Sequence, residues 1–166
     1  IQHVANVMAV YEARADEMGE AIRMEMGAPY DFAHGEQSPC MPWALEDAAA
    51  AADKIHLDAP LGDGTPGAHI LHEPIGVVGL ITPWNWPISQ IALKVFPAMI
   101  AGCTMVLKPS EEAPLSGLLF TDMLREAVQK TSAKTMGDRE FGIFGTVHLG
   151  LRLPLVFSLV GVVSLN

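Results

Sequence analysis

Three polar side chains in two short loops could carry chemistry in this 166-residue chain. Asn85 lies in a proline-bounded loop over residues 82–86, and Lys108 and Glu111 lie three residues apart in a second loop. A fixed amide N–H can stabilise the negative charge that develops on a carbonyl oxygen, by roughly 3 kcal/mol in a dry site. A carboxylate can accept hydrogen bonds from both hydroxyls of a ribose while an ammonium donates to the same oxygens. The residue types therefore permit oxyanion stabilisation in one loop and binding of a vicinal diol in the other.

Each of these residues also has an ordinary structural interpretation. An asparagine just before a helix that a proline opens is usually a turn or cap residue. In the second loop, Lys108 would be a solvated side chain and Ser110 would cap the next helix, with Glu111 and Glu112 favourably placed near its N-terminus. From the residues alone, the structural interpretation is the stronger one for both loops.

A strand, helix, strand, helix order is predicted to position the two loops. The apolar, β-branched run 75–81 predicts a buried strand of a sheet covered on both faces, and residues 104–107 predict a second strand. Pro87 can open a helix to about residue 101, and another helix is expected over about 113–129. This order is typical of a βαβ unit in an α/β fold, whose parallel sheet binds ligands at the carboxyl ends of its strands. Both polar loops lie at such ends.

The region before the loops predicts two helices and a turn-rich segment. Apolar residues recur every three or four positions from Ile1 to Ile22, which is typical of one amphipathic helix, and glycine and proline should end it near residues 27–29. A second helix is expected over about 42–55. Residues 58–74 contain three glycines and three prolines, so we expect turns that join short extended pieces.

Taken together, these motifs resemble the aldehyde dehydrogenase superfamily. EPIGVVGLITPWNWP at 73–87 is followed by KVFPA at 94–98 and GCTMVLKPSE at 102–111. Either loop alone would be a weak signal, whereas the strand and both loops in this order and spacing are specific. The resemblance covers residues 1 to about 127 and includes EMGAP at 25–29.

The resemblance implies a fold, a reaction and a set of site residues. The fold would be an incomplete Rossmann-like parallel sheet with flanking helices, and the reaction would be NAD(P)-dependent oxidation of an aldehyde to a carboxylic acid through a cysteine thiohemiacetal. Asn85 would be the donor to the oxyanion. The cofactor-binding residues would be Ile81, Thr82, Pro83, Trp84, Lys108, Ser110 and Glu111. Because the carboxylate of Glu111 would repel a 2′-phosphate, NAD is the favoured cofactor, with NADP possible.

Composition and cysteine usage narrow the classes of partner that the chain could bind. A formal charge of −9 disfavours nucleic acid and anionic membrane surfaces, which select for clustered Lys and Arg. Cys40 and Cys103 have no metal-ligand spacing, which suits a reducing cytoplasm, and Cys103 is expected to be a small buried hydrophobe. His69 and His72 have no supporting ligand, so no metal is expected. We expect an aldehyde substrate and, by resemblance, a homo-oligomeric parent enzyme.

The two ends of the chain set further expectations. Residues 1–129 hold 17 acidic and 6 basic residues, whereas residues 130–166 hold 2 and 4, respectively. We therefore expect a partial cofactor-binding domain over 1–129 and an unassigned apolar tail over 130–166, in which residues 153–165 predict a buried strand or a disordered segment. Both ends look truncated, because the chain begins within a helix without an initiator Met, and because the cysteine nucleophile and the glutamate base of the family belong to later sequence.

Three alternatives follow for the chain as a whole. It is an inactive fragment of an aldehyde dehydrogenase, or a non-catalytic module that binds nucleotide weakly or pairs with full-length subunits. A small protein anchored in a membrane by its tail is the third, although an apolar stretch that spans 13 residues and contains Pro154 is short for a membrane helix.

Overall fold

The computed structural model describes residues 2–62, 66–132, 143–146 and 160–163. The helices are α1 (Gln2–Ala13), α2 (Ala15–Met26), α3 (Tyr30–Phe32) with a π-helical continuation (Ala33–Gln37), α4 (Cys40–Ala52), α5 (Pro87–Ile100) and α6 (Pro114–Ser132). The strands are β1 (Asp58–Pro60), β2 (His69–Leu71), β3 (Val77–Ile81), β4 (Thr104–Lys108), β5 (Ile143–Thr146) and β6 (Val160–Val163).

β3, α5 and β4 form the predicted βαβ unit, which confirms the α/β fold class. The two strands are parallel, with Val77 opposite Thr104 and Ile81 opposite Lys108. Pro87 is the first residue of α5, as the sequence predicts. Gly102 adopts a φ of 73° after the helix, and the ring of Pro74 lies 3.1 Å from where a Cβ would stand, so a larger residue would be both strained and crowded there.

The prediction that the first of these strands is covered on both faces is wrong for the described residues. Val77 and Ile81 are 73% and 71% exposed, whereas Leu80 is buried. Side chains alternate across a strand, so one face of β3 meets the helices and the other is exposed. A continuous apolar run predicts two covered faces, but the described helices pack against only one.

The amphipathic helix predicted from Ile1 to Ile22 is two helices. Arg14 separates α1 from α2 with a φ of −127° and a ψ of 17°. Its guanidinium pairs with Glu17 at 2.8 Å and reaches α6 at Asp122, 3.0 Å away. Periodicity missed this one-residue break because both helices contribute to the same core. The predicted end is confirmed, since Gly27 has a φ of 68° and its N–H donates to the Arg23 carbonyl.

The remaining predictions agree in type and differ in their bounds. α4 spans Cys40–Ala52 where a helix over about 42–55 was expected, and the short helical segment before it was not predicted. β1 and β2 are the short extended pieces expected in the turn-rich segment, and they pair antiparallel. β5 and β6 also pair antiparallel. Of the predicted strand or disordered segment at 153–165, only β6 lies within the described residues.

The helices bury one core against the inner face of β3 and β4. Phe96 of α5 and Phe120 of α6 meet edge to face with ring centroids 5.9 Å apart, which ties the crossover helix to the helix after β4. None of the helices within the described residues combines the length and apolarity that crossing a membrane requires. The largest fully buried side chains include Tyr11, Met18, Ile22, Met41, Leu45, Ile88, Ile91, Phe96, Phe120 and Met123.

Candidate functional site

The two polar loops meet at the carboxyl edge of β3 and β4. Ile81 and Lys108 end their strands opposite each other, and the Thr82 N–H donates to the Lys108 carbonyl at 3.2 Å. Pro83 and Trp84 follow on the exposed surface, with Trp84 53% exposed. The strand register therefore brings together two loops that lie some 25 positions apart in the sequence.

Lys108 and Glu111 face each other across the second loop. The Lys108 Nζ lies 3.6 Å from Glu111 Oε2. The pKa of Glu111 is lowered, first by a hydrogen bond from its own backbone N–H and then by the charge of Lys108. The exposed carboxylate is thus held ionised beside an ammonium, an arrangement that offers acceptors and a donor to a vicinal diol.

Ser110 organises the loop locally and does not cap the next helix. Its Oγ accepts a hydrogen bond from the Glu112 N–H at 3.2 Å, and its carbonyl accepts one from the Ala113 N–H. Because α6 begins at Pro114, this is a turn within the loop. The cap interpretation of Ser110 is therefore wrong, and its turn fixes the backbone beside Glu111.

Asn85 is exposed at the start of α5 and is not used as a cap. The residue at the cap position is Trp86, and no side chain caps the helix. Among the described residues, the Asn85 side chain has no hydrogen-bond partner. Trp86 is half-buried, and its ring meets that of Phe32 edge to face with centroids 5.3 Å apart. The Asn85 amide is therefore exposed and is not engaged in capping α5.

Two polar residues at or near this edge, Thr82 and Glu25, have surroundings that the sequence patterns did not predict. Thr82 is only 4% exposed, and its Oγ1 has no hydrogen-bond partner within the described part of the chain. Glu25, in the last turn of α2, accepts hydrogen bonds from the Leu115 N–H at 2.7 Å, the Ser116 N–H and the Ser116 hydroxyl. Burial raises the pKa of Glu25, and those hydrogen bonds oppose the shift.

One signal in the sequence could have marked Glu25. An acidic side chain in the last turn of a helix opposes the dipole of that helix, so it calls for a partner elsewhere. That partner is the N-terminus of α6, ninety positions along the chain. No local pattern predicts such a pairing.

The surroundings of the two cysteines, and of His69 and His72, fit structural roles. Cys103 is buried, as expected for a small hydrophobe. The Cys40 thiol donates to the Glu36 carbonyl at 3.3 Å, and burial raises its pKa. The Nδ1 of His69 lies 2.6 Å from the Oδ1 of Asp58, and the Nδ1 of His72 donates to the His56 carbonyl. In the part of the chain that the structure describes, no three His, Cys, Asp or Glu side chains group as metal ligands would.

Comparison with known proteins bears on these loops directly. The model of the aldehyde dehydrogenase family matches residues 1–134. A 3-succinoylsemialdehyde-pyridine dehydrogenase from a Pseudomonas species is 42% identical over 127 residues, which are 76% of this chain and 26% of that protein. The mitochondrial succinate-semialdehyde dehydrogenase of Arabidopsis thaliana is 38% identical over 69% of this chain and 22% of its own length.

Solved structures agree in fold. An aldehyde dehydrogenase from Bartonella henselae superposes with a TM-score of 0.73 at 46% identity, over 76% of this chain and 26% of the other. A mutant of aldehyde dehydrogenase C from Pseudomonas syringae, solved with NAD+ and octanal, gives 0.71 at 41% identity, over 76% and 25%. The chain spans about a quarter of the length of the relatives it matches.

Proposed function

Because this chain belongs to the aldehyde dehydrogenase family, we propose that it forms the adenosine side of an NAD(P) site and supplies the oxyanion donor for aldehyde oxidation. The pairing of Ile81 with Lys108 is the observation that carries this function. It holds the loop of Asn85 and the loop of Glu111 at the one sheet edge where α/β folds bind ligands. We assign the function to residues 1–129 and leave the tail, residues 130–166, outside it.

The residues at this edge fit the ribose of a dinucleotide. The ionised carboxylate of Glu111 accepts hydrogen bonds from the two ribose hydroxyls, and the Lys108 ammonium donates to the same oxygens. The turn at Ser110 fixes the backbone between these two residues. When bound, the dinucleotide supplies the hydride acceptor of the oxidation. The proposed binding set is Ile81, Thr82, Pro83, Trp84, Lys108, Ser110 and Glu111.

Charge at the ribose favours NAD over NADP. A 2′-phosphate would bring negative charge against the Glu111 carboxylate, which is ionised at neutral pH as an exposed glutamate ordinarily is. The ammonium of Lys108, in the same loop, offsets part of this repulsion. NADP is therefore the weaker ligand rather than an excluded one.

Asn85 serves as the donor to the reacting oxygen. When a thiolate attacks the aldehyde carbonyl, the oxygen becomes negative, and an amide N–H held in place stabilises it by roughly 3 kcal/mol. Asn85 lies just before α5, next to the cofactor loop, and its exposed amide is not engaged in capping that helix. This leaves both of its N–H donors available.

The chain by itself does not oxidise aldehydes, because neither of its cysteines suits a nucleophile. Cys103 is buried, and the pKa of Cys40 is raised by burial, which disfavours the thiolate. We therefore place the nucleophile in another part of the parent enzyme. The substrate class is an aldehyde.

A titration of tryptophan fluorescence with NAD and NADP tests this function. We expect NAD to quench Trp84 with an affinity in about the millimolar range, since only the adenosine side is present, and NADP to bind more weakly. Glu111→Gln should reduce the preference for NAD, whereas Glu112→Gln, at an adjacent exposed carboxylate, should keep it. Micromolar binding, aldehyde turnover, or equal affinities that Glu111→Gln leaves unchanged would contradict the proposal.

A further inference from the structure

Glu25 lies outside the cofactor loops, yet it holds the helix that follows one of them. We infer that Glu25 is a positioning residue for the ribose loop (residues 108–113), a role that rests on the proposed function. The ribose loop leaves β4 at Lys108 and enters α6 at Pro114. Its position is therefore set by the strand at one end and by the first turn of α6 at the other.

The first turn of α6 depends on an acceptor from elsewhere in the chain. The first backbone N–H groups of a helix have no partner within the helix, and Ala113, which precedes α6, has no side-chain acceptor to offer. Glu25 fills this position by accepting from the N–H groups of Leu115 and Ser116 and from the Ser116 hydroxyl. The carboxylate of α2 thus caps α6.

Capping by Glu25 leaves Glu111 free for a ligand. Glu111 and Glu112 lie just before α6, where the positive end of the helix dipole attracts carboxylates. With the N–H donors occupied by Glu25, Glu111 instead faces Lys108 at 3.6 Å and stays exposed. Without Glu25, an acidic residue of the ribose loop would be drawn to the vacant donors, and the pair with Lys108 would be lost.

A second contact fixes the ribose loop to α6 independently of Glu25. A Cβ on Gly117 would lie 2.9 Å from the Cγ of Pro109, so the proline ring rests directly on the glycine. Glycine at this position permits the close approach. Gly117→Ala would push Pro109 away and shift the ribose loop while leaving Glu25 intact.

Titration of the chain with AMP, followed by amide NMR, tests the inference. We expect Glu25→Gln to weaken AMP binding by about fivefold and to shift the Glu111 and Glu112 amides, because Gln keeps one acceptor oxygen but loses the charge, and its NH2 cannot accept from the remaining α6 donors. Gly117→Ala should weaken AMP in the same direction, whereas Gly35→Ala, which meets no atom within 4 Å, should not.

The control variant Tyr11→Phe separates positioning from stability. It removes a buried hydrogen bond from the Tyr11 hydroxyl to the Ser38 carbonyl, neither of which belongs to the ribose loop, and so lowers stability without changing a residue of the site. If Glu25→Gln lowers the melting temperature as Tyr11→Phe does but leaves AMP affinity and the Glu111 amide unchanged, Glu25 is only structural and the inference is overturned. If Glu25→Gln does not fold, Ser116→Ala, which removes one of the donors, gives the same test with a smaller expected shift.

Failure of the proposed function would give a different result from failure of the positioning role. If AMP perturbs no amide of the wild-type ribose loop, the adenosine assignment fails, and the positioning role is then decided by the Glu111 and Glu112 amide shifts alone. A change in those shifts in Glu25→Gln but not in Tyr11→Phe supports positioning. Unchanged shifts overturn it.

Discussion

The inner face of the β3–β4 pair is buried, whereas its carboxyl edge is exposed. On the inner face, Phe96, Phe120 and Leu80 are buried among helices that come from distant parts of the sequence. At the edge, Trp84, Asn85 and Glu111 are exposed, and few contacts restrain their side chains. Burial of apolar area stabilises the first region, whereas the second keeps its polar groups accessible.

This difference shows that the inner face of the two strands stabilises the fold, whereas their carboxyl edge holds the groups proposed for chemistry. The register of β3 and β4 is fixed by the packed face, and the loops inherit their positions from that register. Substitutions in the packed face should therefore act on the free energy of unfolding, and substitutions at the edge should act on ligand binding.

Phe120→Ala should produce the largest loss of stability. Phe120 is fully buried and packs edge to face on Phe96, so its truncation should lower the free energy of unfolding by about 3–5 kcal/mol in urea denaturation. Trp84→Ala, at an exposed aromatic of the edge, should cost less than about 0.5 kcal/mol. Equal losses would break the separation between the two regions.

Leu80 and Val77 make the same comparison within one strand. Leu80→Ala removes a buried side chain from the inner face and should cost about 2–3 kcal/mol. Val77→Ala lies on the uncovered face and should cost less than about 1 kcal/mol, chiefly through strand propensity. Thermal denaturation of both variants measures the difference. A larger loss at Val77 would mean that this face is covered in the folded chain.

Close packing between α2 and the π-helical segment gives the next effect. A Cβ on Gly19 would lie 2.5 Å from the ring of His34, so Gly19→Ala should lower stability by about 1–3 kcal/mol. The double variant with His34→Ala should recover part of this loss. Gly35→Ala meets open space and serves as the matched control. An unchanged melting temperature for Gly19→Ala would show that the ring moves aside freely.

An exposed ion pair should give the smallest effect and a defined pH dependence. The hydrogen bond from Arg14 lowers the pKa of Glu17, so its stabilisation is present above the ordinary glutamate pKa and is lost as the pH falls through the folded-state pKa. Because Glu17 is exposed, Glu17→Gln, which removes this pair and leaves the contact of Arg14 with Asp122, should cost less than about 1 kcal/mol near neutral pH, and the difference from wild type should shrink in acid. Lys54→Gln should show no such convergence.

Local patterns predicted the elements that carry the site, and they did so for local reasons. Pro87 opens α5 because its missing N–H is harmless there, and Gly27 ends α2 because it adopts a positive φ. The order of strand, loop and helix placed both loops at one edge, which the pairing of Ile81 with Lys108 confirms. The roles of Asn85 and the cofactor residues stay predictions.

Features that depend on distant contacts were not predictable in this way. The break at Arg14 is stabilised in part by Asp122 on α6, and Glu25 caps a helix ninety positions away. The sequence did not predict the uncovered face of β3, because an apolar run indicates only that burial is favourable. It does not indicate which element would cover each face. In each case the partner is fixed by tertiary packing.

Amide NMR mapping of NAD on the wild-type chain tests the central claim most directly. The account predicts that the shifts concentrate in residues 81–84 and in the ribose loop, and that Lys108→Met abolishes them while the folded spectrum is retained. Shifts centred instead on the helical pocket lined by Tyr11, His34 and Ser38, or none at Glu111, would contradict it.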